Sequence, residues 1–260
     1  MSIPPLQGHS VSGRSVYYVP EFLTPDEETY LIRKIVESPH HNWKRLANRR
    51  LQLWGGELTP RNLLLPQPLP GFVESYPPLI QRLRDTGIFQ YSPHGQPNHI
   101  IMNEYLPGQG IMPHEDGPAY HPVVATISLG SHTIFHYYKY KNEEDTSPDH
   151  PSATGRVVDQ RPVMSVFLEP RSLIISTDEM YTSHLHGIEE IEEDIVISGN
   201  GNQPPTIASK GTPIDNWEML KDEEMKESMR LGGVLKRAPR YSLTCRDVQR
   251  VAKGKTLVLR

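Results

Sequence analysis

After Asn98 the hydrophobic period of the chain becomes that of strands, and this feature limits the fold more than any other. His99–Tyr105, Val123–Leu129, Thr133–Tyr140, Val163–Leu168, Ser172–Ser176 and Tyr241–Val248 are short runs rich in β-branched and aromatic residues. The turns between them carry proline and glycine. With 25 prolines in the chain, short strands and turns are favoured over long helices, because proline lacks the N–H a helix interior needs. The pattern predicts a mainly β fold with flanking helices: a double-sheet antiparallel barrel of the jelly-roll type.

The first 98 residues read differently. Val16–Val19 is a short strand. Thr24 is placed to cap a helix with Pro25 in its first turn and Glu27 closing a capping box, and Pro39 stops it. A second helix is expected over Pro77 to Thr86, with Leu79, Ile80 and Leu83 inward and Gly87 ending it. The expected organisation is an N-terminal helical and lid extension, 1–98, packed on a barrel, 99–260, in one structural domain. Polar insertions are expected near 142–161 and 199–233, the second ending in a charged helical stretch from Asn216 to Leu231.

Composition excludes several classes. A lone cysteine, Cys245, permits neither an intramolecular disulfide nor a multi-cysteine zinc site. Met1 to Pro20 has no apolar core of signal-peptide length, and no stretch approaches a membrane span. The expected location is intracellular, in cytoplasm, nucleus or both. The formal net charge is −4, so there is no global basic footprint, but the charge is uneven. Lys44, Arg45, Arg49 and Arg50 form one basic cluster. Eight Lys/Arg lie between Lys236 and Arg260 against one acid, Asp247. Such local patches permit RNA or DNA as a partner. Oligomeric state is not legible.

Three signals carry chemistry. In extended chain, His114 and Asp116 point to one side and can share an ion while Glu115 points away. A third ligand is offered by His186, or by His184 two residues earlier, which faces the same way on a strand. Two histidines and a carboxylate leave three positions open on iron, room for a bidentate 2-oxo acid and dioxygen. The third signal is the segment Arg240–Arg246. Alternation puts Arg240, Ser242, Thr244 and Arg246 on one face and Tyr241, Leu243 and Cys245 on the other. Guanidinium groups facing a barrel interior need an anion, and a dicarboxylate meets that need. The competing reading is an exposed edge strand of a basic tail.

In this order, Asn103 and Tyr105, His114 and Asp116, His186, then Arg240 to Arg246, the residues resemble the AlkB-type dioxygenases. The blocks Arg50–Gly56, Gly110–Tyr120, Thr126–Ser131, Leu168–Leu173 and Leu185–Gly187 carry the similarity, which covers most of residues 15–190 and 236–250. The resemblance implies a double-stranded β-helix. It selects His186 over His184, so that His114, Asp116 and His186 hold Fe(II). It implies that Asn103, Tyr105, Arg240, Ser242, Thr244 and Arg246 bind 2-oxoglutarate, with O2 as cosubstrate. Ser242 departs from the asparagine many members carry there. The activity implied is oxidative demethylation of N-alkylated nucleic acid. Alternatives are a protein or small-molecule hydroxylase or demethylase on the same site, or a nucleic-acid-binding scaffold with little or no turnover. Arg50, Gln52, Trp54 and Tyr120 are the candidate substrate contacts.

Overall fold

The computed structural model describes residues 6–141, 156–199 and 203–253. Most of the 142–161 insertion therefore lies outside the described residues. The chain forms β1 (Val16–Val19), α1 (Pro25–Val36), β2 (Lys44–Arg45), β3 (Arg50–Trp54), β4 (Gly56–Leu58), β5 (Leu64–Pro66), α2 (Gly71–Ser75) and α3 (Leu79–Asp85). The strand-rich part follows with β6 (His99–Tyr105), β7 (Ile111–His114), β8 (Tyr120–Leu129), β9 (Thr133–Tyr138), β10 (Met164–Leu168) and β11 (Leu173–Thr177). It closes with α4 (Asp178–Thr182), β12 (Leu185–Ile188), β13 (Glu193–Ile197), β14 (Thr206–Ile207), β15 (Thr212–Pro213), α5 (Glu223–Leu231), β16 (Val234–Lys236) and β17 (Arg240–Val248). Among the described residues, no helix is long and apolar enough to cross a membrane.

Two antiparallel sheets make the barrel. The larger has the order β1-β11-β8-β17-β6-β3-β2, the smaller β10-β9-β12-β7. Neighbours in the large sheet come from distant parts of the chain. The order crosses between the sheets repeatedly, as a jelly roll does. Strand alternation then sorts the side chains. On β17, Tyr241, Leu243 and Cys245 join Ile100, Met102, Ala125 and Ile127 in a core beneath α1 and α3. The opposite face, with Asn103, Thr126 and Ser242, turns to the small sheet and lines a cavity between the two.

The helices that cover the outer face are specified locally. Thr24 Oγ1 accepts from Glu27 N, and the Glu27 side chain accepts in turn from Thr24 N, so the expected capping box forms. Leu31 and Ile35 on α1 and Leu79 and Leu83 on α3 are fully buried against the sheet. Arg82 bridges Glu27 and ties the two helices together.

Two expectations change. Residues 1–98 are not only an extension lying on the barrel, because β1 and β2–β3 are themselves the two edges of its large sheet. The described part of 199–233 is tied into the fold by buried apolar residues, while its helix is largely exposed, as expected, with Met229 buried. Ile207, Ile214, Leu220 and Met229 are buried in the second core with Phe167 and Val166. Burial of Leu220 breaks the charged stretch, so α5 begins only at Glu223, capped by the Asp222 carboxylate on Met225 N.

Candidate active site

Strand register brings the metal-binding candidates together. On the small sheet, His186 of β12 lies directly opposite His114 of β7, and their ring centroids are 4.4 Å apart. Two glycines permit this approach. A Cβ on Gly187 would meet Ile111 O and Pro113 N at 3.0 Å, and one on Gly110 would meet Ile188 O at 2.3 Å. Asp116 follows β7 by two residues. One ligand atom from each of His114, Asp116 and His186 lies within 4.8 Å of the others. His184 is not in the group: its Nδ1 donates to Glu179 O at 3.0 Å, closing the end of α4.

Each candidate ligand is oriented by a partner that leaves one atom free. His114 Nδ1 donates to Met112 O at 2.9 Å, so Nε2 faces the cluster. The His186 ring packs face-on against Phe135, with centroids 5.3 Å apart. Asp116 Oδ1 accepts from Arg246 Nη2 at 2.5 Å, while Oδ2 is buried without a partner. Protonation agrees with this arrangement. Burial pushes His186 down to about 4 and lowers His114 as well. Burial opposes the Asp116 carboxylate, yet Arg246 and the two histidines hold its pKa below the usual value. Two neutral imidazoles and an ionised carboxylate are the forms that bind a divalent cation.

The anion-binding candidates lie in the same cavity. Asn103 and Tyr105 on β6 pair in register with Ser242 and Arg240 on β17, and all four line it with Thr244 and Arg246. Arg240 is 3% exposed. Its Nη2 donates to Ser128 Oγ at 2.8 Å, but Nε and Nη1 have no partner, and the same two atoms of Arg246 are equally unpaired. Burial pushes Arg240 down to about 10, so it remains a cation at neutral pH. Unpaired buried guanidinium donors are costly unless an anion meets them. They fit a dicarboxylate such as 2-oxoglutarate, and the unpartnered Asp116 Oδ2 beside two neutral imidazoles fits Fe(II).

The proposed substrate contacts fall elsewhere. Arg50, Gln52 and Trp54 pair with Glu104, Met102 and Ile100, residues of the large sheet's outer face. Arg50 forms a two-point ion pair with Glu104 and stacks on Trp43. Gln52 Oε1 accepts from Trp54 Nε1 at 3.0 Å, and Trp54 sits edge-on to Phe72 in the outer core. The alternation that aims Asn103 inward aims these three outward. Tyr120 does not line the cavity either and lies against Arg246 and His99. Arg49, read from sequence only as part of a basic cluster, does line the cavity. Its Nε donates to Asn103 Oδ1 at 3.2 Å. Arg49 precedes β3 by one residue, so strand parity sets it opposite to Arg50, but parity alone does not say which of the two looks inward. The C-terminal basic cluster is also partly internal, since Arg237 pairs with Asp194 and Arg240 and Arg246 are buried.

A jelly roll carrying two histidines, an aspartate and two buried arginines with unpartnered nitrogens defines an iron and 2-oxoglutarate dependent oxygenase. The chain belongs to the 2OG-Fe(II) oxygenase superfamily, whose model matches residues 55–246. It uses Fe(II), 2-oxoglutarate and O2, and acts as a dioxygenase. Within that superfamily it is similar to proteins of the AlkB type. It is 35% identical over 240 residues to "Probable RNA/DNA demethylase ALKBH6" of Danio rerio, covering 92% of this chain and 88% of that one. It is 31% identical over 201 residues to "Uncharacterized protein L905" of Acanthamoeba polyphaga mimivirus, covering 75% and 80%. The solved structure of OsALKBH1 shares the fold, with a TM-score of 0.50 at 16% identity over 92% of this chain and all of that one.

Proposed function

We propose that this dioxygenase removes N-linked alkyl groups from nucleic acid. His114 Nε2, Asp116 Oδ2 and an imidazole nitrogen of His186 would hold Fe(II). Arg240, Arg246, Asn103, Tyr105, Ser242 and Thr244, which line the cavity, would hold 2-oxoglutarate. Together with O2, the metal and cosubstrate supply the oxidising power, and 2-oxoglutarate is spent as succinate and carbon dioxide. The chain itself binds, orients and excludes water. Arg240, with the Tyr105 ring beside it, would hold a carboxylate of the cosubstrate. Arg246 holds Asp116 in place, and Phe135 packs on the ring of His186. A methyl carbon on nitrogen that gains a hydroxyl becomes a hemiaminal and leaves as formaldehyde.

The substrate class rests on one observation: the similarity, along nearly the whole chain, to the Danio rerio protein named a probable RNA/DNA demethylase. Arg49 supports it by placing a cation in the cavity wall, suited to a phosphate near the oxidised carbon. The first test is anaerobic: parent protein with Fe(II) and 2-oxoglutarate should give the weak visible charge-transfer band of their chelate, lost in His186→Ala. The second gives the holoenzyme DNA and RNA oligonucleotides with N-methylated bases, and methylated peptides in parallel. Release of formaldehyde and succinate above the unmethylated control is expected for an oligonucleotide. Stimulation by peptide alone would overturn the nucleic-acid assignment while leaving the dioxygenase intact.

A further inference from the structure

The ring of Tyr120 lies against Arg246, outside the lining of the cavity, and the strand register explains why. β8 and β17 pair without interruption from Leu129 opposite Tyr241 to Val124 opposite Arg246. The register then shifts, and Tyr120 falls opposite Val248. A bulge beside a functional site re-aims a side chain. Here it carries Tyr120 back over Arg246, whose guanidinium carbon stands 4.9 Å from the ring centroid. The backbone at this point is held by one residue: Gln249 N donates to Ala119 O at 3.1 Å and Gln249 Nε2 to Tyr120 O at 2.8 Å.

Behind the tyrosine lies His99, opposite Arg246 on the neighbouring strand β6. The two rings stack with an interplanar angle of 27° and centroids 6.1 Å apart. His99 is 1% exposed and neither ring nitrogen has a hydrogen-bond partner. What it presents to the tyrosine is the face of its ring. The guanidinium of Arg246 is consequently fixed by one hydrogen bond, to Asp116 Oδ1, and by the plane of the Tyr120 ring. The second torsion of an aspartate is soft. If the guanidinium tilts, the carboxylate turns with it, and Oδ2 no longer points at the imidazoles of His114 and His186.

We propose that Tyr120, backed by His99, is a positioning residue for the iron site, acting through Arg246 on the orientation of Asp116. This rests on the assignment of Asp116 to the metal. The ring is what acts, because a cation above an aromatic face is attracted by the face and needs no hydroxyl. Groups that orient metal ligands are worth about 10–100-fold in metal affinity.

The experiment measures Fe(II) affinity by anaerobic competition with a chromogenic chelator, and the Fe(II)–2-oxoglutarate band, in the full chain. Tyr120→Phe should match the parent within about twofold, because the face that carries the attraction is kept. Tyr120→Leu should weaken Fe(II) by roughly tenfold and shift or diminish the band, with a circular dichroism spectrum like the parent's. His99→Leu keeps an apolar group in the buried site but removes the backing ring, and should give a smaller loss in the same direction. It also provides the test should Tyr120→Leu fail to fold. If Tyr120→Leu binds Fe(II) as the parent does, or if Tyr120→Phe loses as much as Tyr120→Leu, the proposal is wrong. If the parent itself binds no Fe(II), the site assignment falls first and the proposal with it.

Discussion

Replacing Arg240 by methionine should move stability and ligand affinity in opposite directions, which a purely structural arginine would not do. Arg240 is 3% exposed, is protonated at neutral pH, and satisfies only Nη2, on Ser128. Without an anion it is a buried cation with two unpaired nitrogens, Nε and Nη1. Arg240→Met removes that cost at similar length, so the apoprotein should be as stable as the parent or more so, by up to about 1–2 kcal/mol. Losing a buried charge-assisted partner of a carboxylate costs about 2–5 kcal/mol of binding. At about 3 kcal/mol, the dissociation constant for 2-oxoglutarate rises by roughly two orders of magnitude. The assay is a thermal melt with a redox-inert divalent ion, with and without 2-oxoglutarate. At a concentration one hundred times its dissociation constant, the ligand stabilises the parent by about 2.7 kcal/mol. For a chain of this size that is a rise of roughly 5–10 °C in Tm. Arg240→Met should start as high or higher and show almost no rise. A variant that melts well below the parent yet keeps the full 2-oxoglutarate shift would refute the anion-clamp reasoning.

Gly187→Ala should lower Fe(II) affinity more than stability, because the new Cβ meets backbone of β7 at 3.0 Å and separates His186 from His114; metal titration beside a urea melt checks this. Trp54→Ala should cost about 3–5 kcal/mol by opening the outer core, while oligonucleotide KM stays unchanged in whatever enzyme remains folded. A rise in KM without loss of stability would return Trp54 to the substrate site. Glu189 gives a pH prediction. Burial opposes its charge, but His136, Ser209 and Lys210 hold it down at about 2, against an ordinary value of 4.5. A carboxylate with a lowered folded-state pKa stabilises above the unfolded value and loses that contribution as pH falls through the folded one. The parent should therefore exceed Glu189→Gln by about 2 kcal/mol at pH 6, with the gap closing between pH 4.5 and 2 in denaturant titrations. A gap independent of pH would refute the charge-based account.

Much of the site was legible because strand parity is a local property. The two-residue spacing of His114 and Asp116, and the alternation of Arg240, Ser242, Thr244 and Arg246, predict shared faces without knowing what the faces meet. The capping box at Thr24 and the end of the second helix were equally local, each needing only residues within one turn. Parity could not say which face of β3 looks inward, since that depends on its pairing with β6. Arg50, Gln52 and Trp54 read as plausible base contacts but lie on the outer face, and Arg49 takes the inner one. Nor does composition report pairing, so a C-terminal cluster of positive charge resolves into Arg237 on Asp194 and Arg246 on Asp116. The sequence by itself determined the strand-rich class, the helix caps and the residue types of the site. Only the tertiary structure decided which strands adjoin, and with that the meeting of His114 with His186 across β7 and β12 and of Arg246 with both Asp116 and Tyr120. These are contacts between residues up to 130 positions apart in the chain, and long-range pairing of this kind is set by the burial of whole faces, which no local pattern encodes.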